Sequence, residues 1–329
     1  MGSEMCIRDR PVPVSATGPD GRQVSTFYAR KEDTAIVEMA EACGLGRLPE
    51  AVRLPMSATS RGLGDVIAAA IGDGCQRIIV GIGGSASTDG GAGMLRALGA
   101  EFFDDHGVEL AEGGAALARL QSLRLDKLLP RVLGVEIVIA SDVDNPMCGP
   151  TGAAWIYGPQ KGATPQQANE LDRALSHWAD VVAEVSGADH RDEPGAGAAG
   201  GVGFAGLALL GARREAGSDV LFSVMGLEEK LKGAVAVITG EGSLDDQSLR
   251  GKAPIGVAAL ARRLGVPAYA IVGASTLSKP ATSAAGIRAV YELAAREPDP
   301  RRCITNAFEL VSEATFDLAR THLQGRIHA

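Results

Sequence analysis

Apolar positions recur along this chain in two spacings, one suited to strands and one to helices. Short apolar runs rich in β-branched residues predict strands at Thr26–Ala29, Ala35–Ala40, Arg77–Val80 and Glu136–Ile139. The segment Gln166–Val185 carries Ala168, Leu171, Leu175, Trp178, Val182 and Val185 in steps of 3, 4, 3, 4 and 3, which gathers them on one helical face. His177 lies beside that stripe and reads as packing or surface. Ser60–Ile71 predicts another helix, opened by a serine suited to an N-cap. Met94–Leu98, Phe204–Arg213 and Ser218–Met225 also read as helical. From Ala234 the pattern becomes a regular alternation. Ala234–Gly240, Pro267–Gly273 and Ile287–Leu293 are strands, while Pro254–Leu264 and Thr305–Leu323 are helices. Strand–helix–strand with short links means a parallel sheet with right-handed crossovers. The fold class is α/β in two domains, with the change of pattern near residues 200–215.

Composition narrows the function classes. The 329 residues suffice for two domains, and 46% apolar with 22% charged residues is ordinary for a globular protein. A net charge of −8 and the lack of a Lys/Arg run argue against a nucleic-acid surface. No apolar stretch reaches the roughly 18 residues of a membrane span. Cys6, Cys43, Cys75, Cys148 and Cys303 show no C-x-x-C spacing and read as reduced thiols of a cytoplasmic protein. Met1–Arg10, MGSEMCIRDR, lacks the apolar core of a secretory signal. It resembles translated sequencing adapter and is set apart from the fold.

Chemistry concentrates in loops after strands. RIIVGIGGSASTDGGAG at Arg77–Gly93 runs from an apolar strand into a loop holding Gly81, Gly83, Gly84, Ser85, Ser87, Thr88, Asp89, Gly90 and Gly91, and then into a helix. Glycines let backbone N–H groups face an anion, and a helix N-terminus adds further donors. The loop reads as a cradle for a phosphate or carboxylate, the alternative being a tight surface turn. GIGGSA also fits a dinucleotide fingerprint, with Glu101 twenty residues past Gly81. The context disagrees, because Asp89-Gly90-Gly91 delays the helix and Glu101 precedes Phe102-Phe103. A second match, Gly195–Gly200, follows Glu193-Pro194 rather than a strand. ASDVDNP places Asp142 and Asp144 past a strand end, where they offer oxygen ligands to Mg²⁺ or simply form an Asx-turn. GPQKGA offers Lys161 after a Gly-Pro turn. TGEGSLDDQSLRGKAP places Glu241, Asp245, Asp246, Gln247, Ser248 and Lys252 between a strand and a helix. It is not a Walker loop, since Asp246 and Ala253 break that pattern. Acids and a lysine there suit phosphoryl transfer, by holding Mg²⁺ or neutralising the moving group.

Taken in order, GIGGSASTDGGAGM, SDVDNPMCGPTGA, GPQKGA, PGAGAAGG and ITGEGSLDDQSLRGKAPIGVA resemble the type-1 glycerate kinase family from about Thr17 to the C-terminal helix. The resemblance implies a restriction-endonuclease-like α/β domain, placed at residues 11–205, and an incomplete flavodoxin-like parallel-sheet domain at 206–329. It implies transfer of the γ-phosphate of ATP to D-glycerate with Mg²⁺, usually giving 2-phosphoglycerate. Catalytic positions carried over are Asp142, Lys161, Glu241, Asp245 and Lys252, with Asn145 in a matching motif. Asp142, Glu241 and Asp245 are the metal candidates, and the loop from Gly81 to Gly91 binds the cofactor. A homodimer is left open. The family's opening strand with its Pro-Asp-Ser-Phe/Tyr-Lys loop, and its Ala-Asp-Gly-Gly-Glu-Gly motif, do not occur here. The expectation is an ATP-dependent glycerate kinase; the alternative is an N-terminally shortened, catalytically crippled anion-binding homologue whose flavodoxin-like sheet lacks strands and exposes an apolar edge.

Overall fold

A computed structural model describes residues 10–246, 248–250 and 253–323. The chain divides into two compact units, one ending at Gly217 and one beginning at Ser218. In the first unit the strands are β1 (Arg10–Thr17), β2 (Gln23–Lys31), β3 (Thr34–Glu38), β4 (Arg77–Gly81), β5 (Glu101–Phe103), β6 (Ser122–Arg124), β7 (Glu136–Ala140) and β8 (Arg213–Glu215). Six of them form one sheet in the order β1-β2-β3-β4-β7-β8. β1, β2 and β3 pair antiparallel, whereas β3, β4, β7 and β8 run parallel. β5 and β6 make a separate two-stranded ribbon.

Several boundaries differ from those the sequence predicts, each for a local reason. β1 carries Pro11 and Pro13, which mask its strand character, and it lies at the sheet edge where missing N–H groups are tolerated. Arg10, set apart with the N-terminal decapeptide, is its first residue. The predicted strand Ala35–Ala40 stops at Glu38 and turns into the helix Met39–Cys43. The predicted helix Phe204–Arg213 is Val202–Leu209, because Arg213 is already in β8 beside β7. That pairing ties Arg213–Glu215 to the first sheet, and the first compact unit runs on to Gly217.

The first unit's core is organised by the helix Pro165–Ser186. Thr164 opens it with a full capping box to Gln167, and Gly187 closes it in a left-handed conformation. Its Trp178 is fully buried, with ring centroids 5.4 Å from Phe102 and 6.2 Å from Phe204. The indole Nε1 donates to the carbonyl of Gly90 at 3.0 Å, tying the core to the glycine loop. His177 reaches the Leu120 carbonyl with a ring nitrogen, in keeping with a packing role.

In the second unit, β9 (Val237–Leu244), β10 (Ala268–Ser275) and β11 (Ile287–Glu292) form a parallel sheet in the order β11-β10-β9. Successive residues of β10 serve opposite faces. Ala268, Ala270 and Val272 pack with Ala258, Leu260 and Ala261 of the helix Ala253–Arg263. Tyr269 and Ile271 pack with Ala314 and Leu318 of the helix Ala307–Leu318. The predicted single helix Thr305–Leu323 is broken at Asn306, where Pro300–Thr305 ends and Ala307–Leu318 begins. Among the described residues no helix is long and apolar enough to cross a membrane.

Replacing Trp178 with Ala should destabilise the first unit by about 3–5 kcal/mol, the usual cost of emptying a buried indole site. Urea unfolding followed by fluorescence of Trp155, which lies in the same unit, checks this against the parent protein.

Candidate active site

β3, β4, β7 and β8 are aligned in register, so their carboxyl ends form one edge at Glu38, Gly81, Ala140 and Glu215. Ligands of open α/β sheets bind at such edges. The glycine loop leaves this edge from β4, and the Ser141–Asn145 loop leaves it from β7.

The glycine loop is split by burial. Gly83 and Gly84 are exposed, whereas Ser85 through Gly91 are buried. A Cβ on Gly83 would meet nothing within 4 Å, so protein packing does not demand a glycine there. At Gly90 the reverse holds: φ is +62° and a Cβ would stand 2.5 Å from Trp178 Cδ1. The backbone of this half meets the glycine-rich Gly195–Gly201 segment, with Gly90 N–H donating to the Gly200 carbonyl at 2.9 Å.

Asp89 is wholly buried, and its carboxylate is engaged by the chain itself. Oδ2 accepts from Ser60 N and Ser60 Oγ, both at 2.8 Å, and from Gly93 N at 3.2 Å. Oδ1 accepts from Gly91 N at 3.2 Å. Ser60 Oγ in turn accepts from Met94 N at 3.0 Å. Ser60 makes no side-chain cap on its own helix Arg61–Gly72, and serves the neighbouring helix Ala92–Leu98 instead. Burial pushes the Asp89 carboxyl above the usual carboxylate range, while the Ser60 hydrogen bonds pull it back. Asp89, read from sequence as a cofactor contact, is thus an internal anchor.

Ser87 and Lys161 are drawn inward in the same way. The Ser87 side chain is buried, and its Oγ and the Thr88 Oγ1 have no hydrogen-bond partner. Lys161 is buried too, and its Nζ donates to the Ser87 carbonyl. Desolvation draws its pKa down to about 8, against an opposing pull from Asp89. A lysine so placed clamps the loop from inside and does not reach out as a surface cation.

The β7 loop is more open. Asp142 is exposed, and its Oδ1 accepts from Gly217 N at 2.9 Å. Asp144 is paired with Arg214 at 2.7 Å, and the same guanidinium donates to the Val143 carbonyl at 3.0 Å. Asn145 donates to the Thr151 carbonyl and accepts from Tyr157 OH, so its amide is spent on the loop's own shape. Glu101 lies in the β5–β6 ribbon with Lys127 beside it, away from the position a ribose-binding acid would need.

In the second unit, β9 continues through Gly240-Glu241-Gly242-Ser243 to Leu244, four residues past its predicted end. A short 3₁₀ turn, Ser248–Arg250, then folds Ser248 back under the strand end. Ser248 is fully buried, and its Oγ donates to Glu241 Oε1 at 2.5 Å. Its backbone N–H donates to Asp245 Oδ1 at 3.1 Å, and Asp245 N donates to Ser248 Oγ at 3.2 Å. Glu241 and Asp245 are therefore brought together, while Asp142 belongs to the other unit. Lys252 lies outside the described residues. Ser60 and Ser248 are the residues that sequence reasoning underrated. Only Ser248 left a signal, its three-residue spacing from Asp245.

The Glycerate kinase family matches residues 5–323. The chain belongs to the glycerate kinase family. It is 41% identical to the glycerate kinase of Bacillus subtilis (strain 168) over 305 residues, covering 92% of this chain and 80% of that one. It is also 41% identical to the glycerate 2-kinase of Escherichia coli (strain K12), covering 93% and 81%. The crystal structure of a Salmonella typhimurium LT2 protein assigned as glycerate kinase 2 superposes with a TM-score of 0.79 at 43% identity. That superposition covers 86% of this chain and 75% of the other.

The buried lysine gives a signed pH prediction. Lys161 is lowered to about 8 in the folded protein, against about 10.4 when unfolded. Between these values the unfolded chain holds more protons, so this group adds stability as pH rises. Urea unfolding of the parent and of Lys161→Met should show the parent gaining about 3 kcal/mol on the variant from pH 7 to 10.5. A difference that stays flat with pH would contradict the burial of a charged lysine.

Proposed function

We propose that this protein is an ATP-dependent glycerate kinase that transfers the γ-phosphate of ATP to D-glycerate, with Mg²⁺ as cofactor and 2-phosphoglycerate as product. The observation that carries this reading is the family match over residues 5–323, which spans every loop discussed above. The E. coli relative named glycerate 2-kinase supports the choice of hydroxyl. The reaction joins a glycerate hydroxyl oxygen to the γ-phosphorus, breaks that phosphorus's bond to the ADP oxygen, and releases the hydroxyl proton.

In this reading the exposed Gly81–Gly84 end of the glycine loop receives an anionic group of the substrates with its backbone N–H donors. Asp142, held by Gly217 N–H, accepts the hydroxyl proton. Glu241 and Asp245 hold Mg²⁺. Among the described residues no group of three or more His, Cys, Asp or Glu side chains gathers around one point. Two carboxylates still fit the ion, because Mg²⁺ takes oxygen ligands, keeps several waters and shares its coordination with substrate phosphates. When bound, Mg²⁺ neutralises charge developing on the phosphates. The first unit is read as the restriction-endonuclease-like domain and the second as the flavodoxin-like one, in a cytoplasmic enzyme. Parallel β9, β10 and β11 with helices on both faces support the second assignment.

An ADP-release assay with Mg-ATP and D-glycerate tests the reading, with ³¹P NMR to identify the product. The expected result is glycerate-dependent turnover giving 2-phosphoglycerate, and ADP release indifferent to glycerate would overturn it. Asp142→Asn should lower kcat about 100-fold with the melting temperature unchanged, since the side chain is exposed. Gly83→Ala should likewise keep its melting temperature while raising KM for ATP or D-glycerate about tenfold. Gly90→Ala should lose stability first, because its Cβ meets Trp178.

A further inference from the structure

Ligands of parallel sheets gather at the carboxyl ends of the strands, and in the second unit that end opens onto a groove. Its cavity of about 490 Å³ runs between β11 on one side and the chain after β10 with the helix Lys279–Ala284 on the other. The floor is apolar: Ile287 is buried, and Leu277 and Val290 pack against the same core. Three polar side chains of the lining are committed to the fold. Ser275 Oγ accepts from Leu277 N at 3.2 Å, Thr282 Oγ1 donates to the Lys279 carbonyl at 3.0 Å, and Glu292 Oε2 accepts from Ser275 N at 2.9 Å. These bonds shape the groove without filling it. Lys279 and Arg288 are different. Both are exposed at the groove, and among the described residues neither side chain has an ion-pair partner. Two cations against one acid make the groove net positive on a chain whose net charge is −8. A positive concavity on an acidic protein draws anions to itself.

Size decides which anion. Cavities of roughly 300–1,000 Å³ suit drug-sized molecules, whereas a three-carbon hydroxy acid would leave such a space mostly empty. The apolar floor suits an aromatic base better than it suits glycerate. We propose that this groove holds the nucleotide: a nucleoside polyphosphate lies over Leu277, Ile287 and Val290, with Lys279 and Arg288 as the partners of its charge. The inference rests on the kinase reading for the use of that nucleotide, while the groove itself belongs wholly to the second unit.

The test titrates N-methylanthraniloyl-ADP into the full chain and follows its fluorescence. The parent should bind it, and unlabelled ADP should displace it. Lys279→Glu should weaken binding about tenfold or more by reversing a charge beside the anion. Ser283→Trp should do the same by filling the groove from an exposed position of its lining helix. Arg301→Glu reverses an exposed charge of the same unit outside the groove, and should bind within about twofold of the parent. The kinetic counterpart in Lys279→Glu is a KM for ATP raised about tenfold with the KM for D-glycerate unmoved. All three positions are exposed, so the melting temperatures should stay with the parent's. Equal binding by the parent and both groove variants overturns the proposal, as does equal loss in all three variants or a parent that binds no nucleotide. Displacement by 2-phosphoglycerate as readily as by ADP overturns the nucleotide assignment. A parent that phosphorylates D-glycerate, with groove variants keeping its KM for ATP, overturns the groove and leaves the kinase reading in place. Nucleotide binding that depends on the groove, with no phosphoglycerate formed, overturns the kinase reading and leaves the groove in place.

Discussion

The buried Asp89 carboxylate is the constraint around which the first unit's candidate site is built. Four donors converge on it from Ser60, Gly91 and Gly93, and Ser60 passes the bonding on to Met94. Two helix starts, at Arg61 and Ala92, are thereby locked to one anion. Losing that carboxylate would strand buried N–H groups, each costing about 1–3 kcal/mol. Burial of a charge is tolerated here because hydrogen bonds surround it and Lys161 supplies an opposing charge within the same interior.

This anchoring explains the division of labour within one glycine-rich stretch. Gly90 gives up a side chain so that Trp178 and the Gly195–Gly201 segment can press against the backbone. Gly83 gives one up with nothing of the protein in the space. Absence of a Cβ serves packing in the first case, whereas packing makes no such demand in the second. The inner half therefore presents a short outer half at the carboxyl edge of the sheet, and the proposed anion contact rests on that preset backbone.

Much of the fold is legible in the sequence because its signals are local. The 3- and 4-residue steps from Ala168 to Val182 fall on a real helix whose largest fully buried side chain is Trp178, while Val185 at the end of the predicted stripe is exposed. β10 and β11 follow from short apolar runs bounded by Gly and Pro. What escaped depends on distance along the chain. Ser60 and Asp89 are 29 residues apart, and nothing near either shows that one caps a helix for the other. Lys161 looks like a loop cation because its burial is set by Ser87, 74 residues away. β1 hides behind two prolines that only an edge position permits. The candidate site divides the same way: strand-end loops are readable, but which of their side chains turn inward is not.

Hydrogen exchange read by mass spectrometry tests the central claim most directly, with overlapping peptides that isolate the Gly83 and Gly84 amides from β4 as the outer segment, and a peptide covering residues 87–95 as the inner one, followed with and without Mg-ADP and D-glycerate. The account predicts that the inner peptide exchanges slowly throughout, whereas the outer one exchanges quickly when free and slows when ligands are added. Slowing confined to the inner peptide, with the outer one indifferent to both ligands, would contradict it.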